Sequence, residues 1–78
     1  MAQNIIIRLP DEVEGDRELA RELATEAVSI GFDFAAMFPD REAGARHGVG
    51  YQRYGYIWTA WRTKSGAVVV RCERKVTP

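Results

Sequence analysis

His47 is the only histidine in the chain, and it stands in an unusual neighbourhood of Arg46, Tyr51, Arg53 and Tyr54. A histidine working as general acid or base, with arginines stabilising a phosphorane, is the equipment of a small ribonuclease. The plainer reading is a polar loop with a solvent-facing histidine, which needs no catalysis. Other chemistry finds less support. Cys72, the only cysteine, is far from His47 along the chain, so no metal-ligand spacing exists. Gly44, Gly48 and Gly50 lack the following Lys-Ser/Thr of a phosphate loop. Ser29 and Ser65 have no local base to activate them. The expectation is a protein that is not an enzyme, with no catalytic residue, no metal and no cofactor.

Two further patterns suit binding. The segment YGYIWTAWR, residues 54–62, sets aromatic rings among basic residues, and a second basic segment follows it. On a strand, Tyr54, Tyr56, Trp58 and Arg62 share one face. A turn of two or four residues around Lys64-Ser65-Gly66 would join them to Arg71 and Lys75. That register turns Ile57, Thr59 and Trp61, with Val68, Val70 and Cys72, toward the core, and a bulge would reverse it. Rings interleaved with cations can stack on bases while the cations meet phosphates. The same composition marks protein hot spots, or simply arginine stems packed over rings. The second pattern is acidic: Glu14, Glu18, Glu22 and Glu26 recur every four residues. Like charges at that spacing do not stabilise a helix, so the ridge is either an ordinary solvated face or a docking surface for a basic groove.

These residues need elements to hold them. Residues 4–9 are apolar and β-branched and end at Pro10, which predicts a strand. Asp16 is a helix cap ahead of Leu19, Leu23, Ala27 and Ile30, and Gly31 is a helix stop, which predicts a helix over 16–30. Residues 32–38 alternate Phe32, Phe34, Ala36 and Phe38, which favours a strand over a short helix, with all three phenylalanines in the core. Residues 39–53 read as a polar loop, and 54–62 and 67–75 as a hairpin. The sum is one α+β domain over 1–78, with one main helix on a mostly antiparallel sheet of three to four strands.

Charge is neutral overall but divided. Residues 1–40 hold three Lys/Arg against nine Asp/Glu, and residues 41–78 hold eight against two. Such asymmetry indicates either a charged partner or two halves that neutralise each other. A lone cysteine and an N-terminal apolar run too short for a leader or a span fit a cytoplasmic protein without membrane contact. In size and organisation, with the acidic helix from Glu14 to Glu26 and the hairpin YGYIWTAWR, the chain resembles the small phage-encoded anti-defence proteins of the anti-CRISPR type. The resemblance covers the whole chain in outline and transfers no site residue. It implies a compact α+β inhibitor or modulator that docks on a larger protein or nucleoprotein complex. The alternative is an RNA- or DNA-binding module using the aromatic-basic hairpin face, and the third reading is the ribonuclease around His47. So small a core also leaves a homodimer open, through a strand edge or the aromatic face.

Overall fold

Ile5–Arg8 is extended, as three successive isoleucines dictate, and forms strand β1. The chain, a computed structural model, is described over residues 4–49 and 55–75, with Lys75 described by its backbone alone. After Pro10 a single 3-10 turn, Asp11–Val13, tucks Val13 into the core. The helix α1 then runs over Arg17–Met37. Asp16 caps it, its Oδ1 accepting from the Leu19 N–H at 3.0 Å. Glu14 therefore lies before the helix, and the acidic ridge on α1 reduces to Glu18, Glu22 and the half-buried Glu26.

Gly31 does not stop the helix, and residues 32–38 are not a strand. The apolar stripe of Leu23, Ala27 and Ile30 continues through Phe34 to Phe38, and this period outweighs the roughly 1 kcal/mol that an internal glycine costs. Gly31 is where α1 comes closest to β1, since a Cβ there would stand 3.0 Å from the Ile5 side chain. Phe34 is core, Phe38 is packed against it, and Phe32 points to solvent at 53% exposure, so only two of the three phenylalanines join the interior. The helix ends where Phe38 leaves helical geometry ahead of Pro39.

The remaining strands are β2 (His47–Val49), β3 (Tyr56–Arg62) and β4 (Val68–Lys75). They form one sheet in the order β1-β4-β3-β2, with β1 parallel to β4 and the other pairs antiparallel. The protein is thus α+β, one helix on a four-stranded mixed sheet, with the extra strand at 47–49 inside the expected loop. The helix packs on β4, β1 and β3 and leaves β2 at the margin.

The hairpin register differs from the expected one. The turn has three residues, Lys64, Ser65 and Gly66, closed by Thr63 N–H to Ala67 O at 2.8 Å and Gly66 N–H to Thr63 O at 3.0 Å. Gly66 takes φ 91°, the left-handed residue that a three-residue turn requires. An odd turn pairs even with even: Arg62 with Val68, Ala60 with Val70, Trp58 with Cys72. Every side chain is thereby moved to the face opposite the one expected. Tyr56, Trp58 and Ala60 lie under the helix with Val68, Val70 and Cys72, while Ile57, Thr59 and Trp61 face away from it. A bulge at Glu73 then shifts the pairing, so that Ile57 sits opposite Arg74.

Candidate functional site

The residues expected to make one aromatic-basic surface are dispersed. Trp58 is fully buried and Tyr56 is 5% exposed, both as core. Burial, followed by the charge of Glu12, pushes the Tyr56 hydroxyl above its ordinary pKa. Arg62 lies on the helix side, where its Nη1 donates to the Phe38 carbonyl at 2.9 Å and its guanidinium stands over the Phe34 ring. It supplies the positive charge that the last turn of α1 lacks. Arg71 is exposed on the opposite face. Tyr54 and the Lys75 side chain lie outside the described residues. These placements correct the expected face, for the register reason given above.

His47 also differs from its sequence neighbours in direction. It is half-buried on β2, with its ring 4.7 Å from Phe38 and 6.1 Å from Phe34. Together with Ile30, Asp33, Met37 and Val49 it lines a groove of about 170 Å³ beside the helix. Arg46 points the other way, its guanidinium 4.1 Å above the Trp61 ring. Arg41 is occupied by the Ala45 and Arg46 carbonyls at 3.3 and 2.9 Å. No arginine described here therefore converges on His47; Tyr51, Arg53 and Tyr54 lie outside the described residues. Among the described residues no group of three His, Cys, Asp or Glu is placed to hold a metal ion. Cys72 is buried, and burial, with Glu12, Glu26 and Glu73 adding to it, pushes its thiol up to about 11. A thiol so shifted is a poor nucleophile at neutral pH.

What does converge is a surface that the sequence reading had on the wrong parity. No described element packs on the sheet face opposite α1. Ile6 and Arg8 of β1, Val69, Arg71 and Arg74 of β4, and Ile57, Thr59 and Trp61 of β3 turn toward it. Arg8 is paired with Arg71 in register, and Arg71 with Thr59, so the cations form a row across three strands. Arg8, Arg46, Arg71 and Arg74 are all exposed. One acid tempers them: Glu73 meets the Arg71 Nε at 3.6 Å, a solvent-exposed pair worth under ~1 kcal/mol. At the centre Val69 is buried between Ile6 and Trp61. The result is an apolar strip rimmed by guanidinium groups. The signal for it was present in the alternation Ile57, Thr59, Trp61 and Val69, Arg71, but the turn length decides which set faces outward.

The acids gather elsewhere. Glu18 and Glu22 are exposed on the outer side of α1, and Asp11, Glu12 and Glu14 are exposed around the 3-10 turn. The divided charge of the sequence is thus a divided surface, acidic on the helix and basic on the far side of the sheet. No helix is long and apolar enough to cross a membrane. No protein-family model, curated protein or solved structure matches this chain, so its function is read from its own residues.

Proposed function

We propose that this protein is a non-catalytic docking module, an inhibitor or modulator of a larger complex, and that the sheet face opposite the helix meets an acidic protein surface. One observation carries the reading: Arg8, Arg46, Arg71 and Arg74 surround Ile6, Ile57, Trp61 and Val69 on a face that no described element covers. An apolar centre within a polar rim is the anatomy of protein interfaces, and Trp and Arg are the residues that dominate their energetics. Guanidinium groups match carboxylates two bonds at a time, which favours acidic side chains as partners.

The nucleic-acid alternative has less behind it. Base stacking needs a free aromatic face. Among the described residues of the sheet, Tyr56 and Trp58 are buried, and Trp61 carries Arg46 on its ring. Fluorescence anisotropy with labelled poly-glutamate and a labelled single-stranded oligonucleotide tests the choice. Poly-glutamate should bind the native chain, and R71E/R74E should weaken it by about tenfold or more. Oligonucleotide binding that exceeds poly-glutamate binding at matched charge and salt would transfer the proposal to nucleic acid. Binding of neither probe, or binding unchanged in R71E/R74E, would remove the sheet face as the docking surface.

A further inference from the structure

The two edges of the sheet are not equally guarded. β2, at one end, is three residues long and contains Gly48, and short edge strands of this kind are poor templates for further pairing. β1, at the other end, is Ile-Ile-Ile-Arg, without a proline, bulge or lysine inside it. Val68 N–H donates to Asn4 O at 2.9 Å. In a parallel ladder this alternation aims the N–H and C=O groups of Ile6 at β4 and those of Ile5 and Ile7 outward. The outward groups have no strand partner in the described sheet.

Apolar side chains flank that edge on both faces. Ile6, 42% exposed, borders it on the far face. On the helix face, Gly31 lies against Ile5. The helical period then brings Ala24, Val28, Ala35 and Phe32 progressively outward on the same flank of α1. Val28 is 37% and Phe32 53% exposed. Met37, the other exposed large apolar side chain among the described residues, borders the groove on the opposite flank.

We infer that β1 pairs antiparallel with β1 of a second copy, about a two-fold axis at Ile6, joining two four-stranded sheets into one. Three observations select a second copy as the occupant. The edge is self-complementary: reciprocal N–H···O=C bonds join Ile5 of one copy to Ile7 of the other, and Ile7 to Ile5, while each Ile6 meets its counterpart. The rotation sets the two helices antiparallel on one side of the joined sheet. Val28 then faces Val28, and Phe32 fills the space between the helices, so apolar surface is covered on both faces of the new strand pair. Charge agrees as well. Arg17 and Arg21 lie on this flank at the start of α1, and the rotation brings them toward the C-terminal half of the other helix. That half has no basic residue in its last turn and is followed by Asp40, a complementary setting for the arginines. The arginine face of the sheet stays free and doubles in extent, so this inference stands or falls apart from the docking proposal.

Sedimentation equilibrium from micromolar to near-millimolar protein tests it, beside amide exchange at the same concentrations. The mass should rise from 8.8 kDa toward twice that value, and the Ile5 and Ile7 amides should gain protection as it does. F32E should weaken the dimer by about tenfold or more, since it sets a carboxylate in the apolar seam, while M37E on the other flank leaves it unchanged. Phe32 is exposed in the single copy, so circular dichroism of dilute F32E should match the native chain. A monomer at every concentration overturns the inference. So does a dimer indifferent to F32E, or one without concentration-dependent protection of Ile5 and Ile7.

Discussion

The two faces of this sheet use the same two strands to opposite ends. Toward the helix, Tyr56, Trp58 and Ala60 meet Val68, Val70 and Cys72 and are sealed from water. Away from it, Ile57, Thr59 and Trp61 meet Val69, Arg71 and Arg74 and remain accessible in part. Each face has one tryptophan, and composition cannot separate them. The difference teaches that an aromatic residue in such a strand is scaffold or contact surface according to one parity, which the length of the Lys64-Ser65-Gly66 turn decides.

Paired substitutions break that comparison most sharply. Trp58→Ala empties the centre of the core and should cost ~3–5 kcal/mol, enough to unfold most of so small a domain. Trp61→Ala removes a half-buried ring and its stack with Arg46, and should cost only ~1 kcal/mol. Urea unfolding of the two variants measures both, and a reversed order would restore the opposite register. Trp58 also keeps its indole Nε1 buried without a hydrogen-bond partner. Trp58→Phe should therefore cost less than its loss of volume suggests, because an unmet donor goes with it.

Arg62 sharpens the same contrast among the cations. Arg62→Ala should destabilise by ~2 kcal/mol, having left the Phe38 carbonyl and the helix end without their cation. R71E/R74E should move stability by no more than ~0.5 kcal/mol, because those side chains hold nothing in the fold. Thermal unfolding of both variants distinguishes a structural arginine from a presented one.

The buried thiol gives the smallest and most specific effect. Cys72 is held protonated, from an ordinary 9.0 up to about 11, and the Tyr56 hydroxyl shifts in the same direction. A folded-state pKa above the unfolded one stabilises fully below the unfolded value and is lost as pH rises through the folded one. Stability should therefore decline between about pH 9 and 11, by up to ~2 kcal/mol for the thiol, and Cys72→Ala should flatten part of that decline. Denaturant midpoints across this range check it.

Much of the fold was legible because it rests on local period. The Asp16 cap, the stripe from Leu19 to Ile30 and the hairpin were readable from spacing alone. Gly31 misled because a glycine admitted by a neighbouring strand looks like a helix stop, although the stripe through Phe34 and Phe38 continued past it. Strand β2 escaped notice because three residues with a central glycine have no period to detect. The candidate surface was misplaced by one residue of turn length, since a three-residue turn with Gly66 and a four-residue turn share the same letters. The acidic ridge kept Glu18 and Glu22 in the open, while Glu14 fell outside the helix and Glu26 turned partly inward.

The most direct measurement is a nuclear magnetic resonance titration of the isotopically labelled chain with poly-glutamate at low salt. The account expects shifts concentrated on Arg8, Thr59, Trp61, Val69, Arg71 and Arg74, with Glu18 and Glu22 unmoved. Shifts confined to the helix, or spread evenly over both faces, would contradict a docking surface on the uncovered side of the sheet.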